Sequence, residues 1–160
     1  MTVAFIGHRR VPQAEAVEER VRATLRPLIE NERADTFLLG SRGEFNELSY
    51  RAVTRLRADY PHIRRIYVRA EYPYIGEEYY AYLRTLYEDS FFPPQIENAG
   101  RKVYIERNRI LVDMCDILIC YYNENTGAAR ASGTQDAVRY AQRRNKRVWN
   151  IYEGKDYSGS

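Results

Sequence analysis

The 160-residue chain is poor in cysteine and histidine, lacks a strong excess of either charge sign and contains no long apolar run. Its two cysteines, Cys115 and Cys120, share one apolar stretch and have no partners elsewhere. A disulfide scaffold and a four-ligand zinc site are therefore excluded. With only His8 and His62, a histidine-rich metal centre is excluded as well, and neither a metal nor a resident cofactor is expected. No apolar run approaches the roughly 18–20 residues of a membrane span. Formal net charge is +3, from 25 Lys and Arg against 22 Asp and Glu, too mild to imply nucleic acid or an anionic membrane as partner. What is present is ordinary globular usage, 44% hydrophobic and 29% charged, which rules out overall disorder. Met1 to Gly7 reads as a strand rather than a signal peptide, so a cytoplasmic protein is expected. The unusual figure is 15 tyrosines, several crowded between Tyr72 and Tyr104.

The chain alternates between two periods. Val3 to Ile6 is a continuous apolar run ended by Gly7, the pattern of a strand buried on both faces. From Gln13 to Glu30, Ala14, Val17, Val21, Leu25, Leu28 and Ile29 recur at helical spacing, with Pro27 predicting a kink or early end. Thr36 to Leu39 is a second strand before Gly40, Phe45 to Tyr60 a second helix closed by Pro61, and Ile63 to Val68 a third strand. Residues 71–100, with Pro73, Pro93, Pro94 and a helix over Glu77 to Glu88, read as an insertion too short to own a core. A helix over Val103 to Met114, a strand over Ile117 to Tyr122, a polar loop, a helix over Gly133 to Arg144 and a fifth strand over Val148 to Tyr152 follow, with residues 153–160 a polar tail. The expectation is a single α/β domain: a doubly wound, mostly parallel five-stranded sheet with helices on both faces.

In such a sheet ligands bind beyond the carboxyl ends of the strands, near the reversal of strand order. That rule selects Gly7, His8, Arg9 and Arg10, then Gly40 to Glu44, then Arg69 and Glu71, then Asn123 and Glu124. Ser132-Gly133-Thr134 at a helix start offers free N–H groups, hydroxyls and the positive end of a dipole, a place for phosphate or simply an N-cap. Gly7, Gly40, Gly43 and Gly133 meeting at one edge, with positive charge from His8, Arg9, Arg10 and Arg42, would suit an anionic small molecule, most naturally a nucleotide. Glu106, Arg107 and Asn108 could orient a ribose or phosphate, although spacing alone favours a solvated first turn.

Arg143 to Arg147 form a basic run at the opposite edge, read as a solvated turn, so nucleic acid is not expected there. In the insertion, Tyr79, Tyr82, Leu83, Leu86 and Tyr87 form one helical stripe; with Tyr72, Tyr74, Phe91 and Phe92 they carry more aromatic surface than a short segment can hide. A homo-oligomer contact through this surface is the expectation.

Phe5-Ile6-Gly7-His8-Arg9, Glu106-Arg107-Asn108 with Met114 and Asp116, and Ser132-Gly133-Thr134 with Tyr140-Ala141 together resemble the YpsA-like proteins of unknown function. These belong to the SLOG superfamily, with the Lonely Guy phosphoribohydrolases and the DNA-processing protein DprA, and the resemblance extends over nearly the whole chain. It implies a Rossmann-like fold with a nucleotide-type ligand under the glycine-containing helix start, and it implies site roles for Arg107 and Asn108. The family's Gly-Gly-Thr stands here as Ser132-Gly133-Thr134, and its second-strand loop as Gly40-Ser41-Arg42, with Asn46 or Glu47 where an acid follows. The position three past Thr134, where the Lonely Guy enzymes carry their glutamate, is Ala137; Asp136 is adjacent, and Glu44, Glu47 or Glu106 are the candidate substitutes, with Arg107 as catalytic arginine.

The leading expectation is binding of a nucleotide or nucleotide-derived ligand, as sensor, carrier or sequestering module. The alternatives are a phosphoribohydrolase-like N-glycosidase using a non-standard carboxylate, and an interaction protein with a vestigial pocket.

Overall fold

In the computed structural model, which describes residues 1–40, 43–124 and 133–153, the first apolar run forms β1, Thr2–Gly7. Its side chains divide by alternation: Val3 and Phe5 face one helical layer, Ala4 and Ile6 the other. This is why the run is apolar throughout. Along the chain follow α1 (Ala14–Glu32), β2 (Thr36–Leu39), α2 (Glu44–Leu56), β3 (Arg64–Val68), α3 (Glu77–Leu86), β4 (Asp89–Phe91), two 3₁₀ turns (Pro94–Ile96 and Gly100–Lys102), α4 (Val103–Met114), β5 (Ile117–Tyr121), α5 (Gly133–Arg143) and β6 (Arg147–Asn150). The sheet order is β4-β3-β2-β1-β5-β6, every pair parallel. One core lies between the sheet and α1 and α2, around Phe5, Phe37, Phe45 and Leu25; the second lies under α4 and α5, around Ile6, Leu38, Leu111 and Val138. Cys115 and Cys120 belong to the second core, where burial pushes both thiols up to about 12.

The sheet has six strands rather than the five expected. The additional strand, Asp89-Ser90-Phe91, is short and begins with polar residues, so no alternation marks it. Glu88 holds it against β3: its carboxylate accepts from Arg65 Nε (3.0 Å), Arg65 Nη2 (2.8 Å) and the Arg65 backbone N–H (2.7 Å), while the Glu88 N–H donates to Arg65 O at 2.9 Å. Arg65 Nη1 also reaches Thr54 Oγ1 at 3.0 Å, which ties this pair to α2.

Other boundaries differ in instructive ways. α1 does not end at Pro27 but continues to Glu32. Pro27 and Ala23, whose carbonyl loses its usual donor, both lie on the exposed side, where water replaces the missing bond. The helix stops at Arg33, whose φ of 59° is left-handed. α2 ends at Leu56, and residues 57–60 form turns. β6 begins at Arg147 and ends at Asn150, although Ile151 still donates to Cys120 O at 2.8 Å.

α4 and α5 are joined on their outer side. Arg109 forms a two-pronged pair with Asp136 (3.1 and 2.8 Å). The Tyr140 hydroxyl donates to Asp113 at 2.8 Å, and Arg109, Arg144 and Arg143 stand over its ring at 5.1, 5.6 and 5.8 Å. No helix among the described residues is long and apolar enough to cross a membrane.

Candidate functional site

Strand order reverses between β1 and β5: the chain builds β2, β3 and β4 on one side of β1, then returns to place β5 and β6 on the other. The parallel register pairs Gly7 with Tyr121 and Leu39 with Tyr67, so the ends of β1, β2, β3 and β5 open onto one edge. At the reversal His8 spans the two central strands. Its N–H donates to Tyr121 O at 3.2 Å, and its Nε2 accepts from the Asn123 N–H at 2.9 Å. His8 is only 7% exposed, and burial holds its pKa below the ordinary 6.5. It is a neutral acceptor in the floor of the site, not a source of positive charge.

Glycine is required at the neighbouring positions by close packing. A Cβ on Gly7 would lie 2.4 Å from the Phe45 ring, and one on Gly40 would lie 2.8 Å from Val68 O and 3.1 Å from Arg107 Nη1. Gly43, at φ 120°, has Arg9 Cα where its own Cβ would stand. The loop after β1 is thereby locked to the start of α2: the Glu44 N–H donates to Arg9 O at 2.8 Å, and the Glu44 carboxylate accepts from the Val11 N–H. Asn46 Oδ1 accepts from the Gly40 N–H at 3.2 Å and fixes the end of β2.

Arg107 is the central cation. It is 3% exposed, and its Nη1 donates to Gly40 O (2.7 Å) and Val68 O (3.3 Å), bridging the ends of β2 and β3. Its Nε donates to Asn108 Oδ1 at 3.0 Å, and a Cβ on Gly133 would lie 3.2 Å from Asn108 Nδ2. The first residue of α5 thus lies close against Asn108, which Arg107 holds beside the ends of two strands. Burial, partly offset by Tyr67, Tyr104 and Glu71 nearby, pushes the guanidinium down to about 10. No carboxylate among the described residues forms an ion pair with it; Glu71, nearby, accepts from the Tyr104 hydroxyl.

Of the candidate residues, Gly7, His8, Gly40, Asn46, Arg107, Asn108, Gly133 and the buried Thr134 surround this edge. Arg9 is exposed at its rim. Ser41, Arg42 and Ser132 lie outside the described residues. Among the acids, Glu44 is committed to the Val11 N–H and Asp136 to Arg109, Glu47 is exposed and Glu106 half-buried. Arg69, which sequence position alone placed after β3, is a buried side chain at this same edge.

An all-parallel, doubly wound sheet with glycines and a buried arginine at its carboxyl edge defines a Rossmann-like α/β protein. No protein-family model matches the chain, and no curated protein matches it in sequence. Among solved structures it is similar to the molybdenum cofactor carrier protein of Chlamydomonas reinhardtii, with a TM-score of 0.53 and 13% identity over 92% of this chain and 73% of that one. At this identity the likeness is one of fold.

Proposed function

We propose that this protein binds a nucleotide or nucleotide-derived anion at the carboxyl edge of its sheet and holds it without transforming it, as a carrier or sensor. The observation that supports this reading is Arg107: a buried guanidinium with no carboxylate partner among the described residues, fixed between the ends of β2 and β3 and bonded to Asn108, which lies beside the amino end of α5. Buried charge without a counterion is unfavourable, and a phosphate on Gly133 and Thr134 would supply one. Binding is favoured over glycosidic cleavage because Glu44 and Asp136 are already engaged and Ala137 carries no acid. The Chlamydomonas protein is named as a carrier, a role of the same kind.

The test is thermal shift against nucleoside mono-, di- and cyclic phosphates, together with mass spectrometry of whatever co-purifies and the molybdenum cofactor as a further probe. A ligand that raises the melting temperature in the wild type and not in Gly133→Val supports the proposal. A rise equally large in Gly133→Val refutes this placement. Release of free base, abolished by substituting Glu47 or Glu106, would favour the enzyme instead.

We assign the exposed tyrosines of the insertion, among them Tyr72 (68% exposed), Tyr74 (83%) and Tyr82 (57%), to contact between copies of the chain. Sedimentation of a Tyr74→Glu, Tyr82→Glu double variant tests this: it should run as a monomer where the wild type does not.

A further inference from the structure

A second buried guanidinium lies at the same sheet edge, next to Arg107 and not among the residues assigned above to the nucleotide. Arg69 follows the last residue of β3 and is 8% exposed. Its backbone N–H donates to Phe91 O at 2.8 Å, which carries the β3–β4 pairing one residue beyond the strand. Its Nη1 donates to Ser90 Oγ at 3.1 Å, and its Nε is buried with no acceptor among the described residues. No carboxylate among the described residues forms an ion pair with it; Glu71, two residues on, accepts from the Tyr104 hydroxyl. The contrast with Arg65 is informative. Four residues earlier on the same strand, Arg65 is equally buried but holds Glu88 in a two-pronged pair. A fold that neutralises one buried arginine so fully leaves the next with a single neutral acceptor.

Burying a guanidinium without an anion is costly, and an unsatisfied Nε–H adds to that cost. The planar donor fork of arginine matches an oxyanion such as phosphate or carboxylate. We propose that the carboxyl end of β3 is an oxyanion subsite in which Arg69, held in place by Ser90, binds an anionic group. β3 stands two strand positions from β1, about 10 Å at the usual interstrand spacing, so this subsite is displaced from His8 and lies beside Arg107, which donates to Val68 O. If both sites are occupied by one molecule, that ligand carries anionic groups at two separated points. That extension rests on the nucleotide reading; the subsite itself does not.

Inorganic phosphate is the probe, with the full chain and melting temperature as readout. Gly133→Val removes any contribution from the start of α5, and in this background phosphate at tenfold excess over its Kd should still raise the melting temperature by about 3–6 °C. Adding Arg69→Met should abolish that rise. A rise that survives Arg69→Met, or one already lost in Gly133→Val alone, overturns the subsite. Failure of the nucleotide reading shows separately, as a nucleotide response insensitive to Gly133→Val. In phosphate-free buffer Arg69→Met should keep or raise the melting temperature, because it removes an uncompensated buried charge while retaining an apolar stem. A fall of more than about 5 °C would make the guanidinium a structural element and refute the proposal. Arg69→Lys keeps the charge but loses the fork, and should weaken phosphate about 10-fold; unchanged affinity overturns the assignment by the same measure.

Discussion

Replacing Arg107 by Met removes the guanidinium at the centre of the site and keeps most of its apolar stem. Two terms of opposite sign decide the outcome. Gly40 O, Val68 O and Asn108 Oδ1 lose a charged donor, at 2.7, 3.3 and 3.0 Å, and three such bonds are worth about 4–9 kcal/mol together. Against this, a guanidinium pushed from 12.5 down to about 10 carries an unfavourable burial of roughly 3 kcal/mol, which the substitution relieves. The net loss in the unliganded protein is therefore at most about 6 kcal/mol, a fall in melting temperature of no more than about 20 °C. Ligand affinity should fall far more: a charge-assisted contact made inside a buried site is worth about 2–5 kcal/mol, or 30-fold to several thousand-fold in Kd. Urea denaturation followed by circular dichroism gives the first quantity, and titration calorimetry with the ligand identified by thermal shift gives the second. If Arg107→Met unfolds the protein, or costs more than about 7 kcal/mol with ligand affinity unchanged in the folded fraction, Arg107 is a structural pin and the reasoning fails.

The neutral state of His8 predicts a pH dependence of stability. Because folding lowers its pKa, the unfolded chain takes up a proton below about 6.5 that the native state resists; the stability from this group is complete above 6.5 and is lost as pH falls toward the folded value. Between pH 7 and pH 5 the stability of the wild type should drop more steeply than that of His8→Gln, by up to about 1.4 kcal/mol per pH unit, and parallel slopes in urea titrations would refute this origin. Glu88→Ala leaves Arg65 buried without its partner and should cost about 2–4 kcal/mol, with selective loss of amide protection over Asp89 to Phe91. Full protection there in the variant would show that β4 does not depend on this pair.

The strands legible from sequence are those whose order of residues is enough to bury them. Val3 to Ile6, Phe37 to Leu39 and Ile117 to Tyr121 are buried on both faces, so each is a plain apolar run wherever it occurs. β4 could not be read that way, because Asp89-Ser90-Phe91 is held by an acid and an arginine 23 residues apart rather than by its own composition. Pro27 misled for a local reason: the pattern flags a lost hydrogen bond without showing that its acceptor faces water. At the site, the glycines mark where the backbone must be approached closely, and the strand-end rule collects them. Arg107 stood out only through the resemblance of Glu106-Arg107-Asn108, since spacing by itself favours a solvated turn. What buries it is a pair of carbonyls 67 and 39 residues away, a signal no local window contains. Arg69 was locatable by the same rule but carried no sign of its isolation from acids, which only the packed neighbours reveal.

The bracing of α4 to α5 has a consequence for recognition. Arg107 and Asn108 ride on one of these helices, Gly133 and Thr134 on the other, and the Arg109–Asp136 pair with the arginines around Tyr140 fastens the two together on the side away from the sheet. The two walls of the proposed site are thus kept at a constant separation before any ligand arrives. Docking then requires little ordering of these helices, so more of each contact is retained as affinity. Loosening the outer brace should weaken capture without altering a single group that the ligand touches.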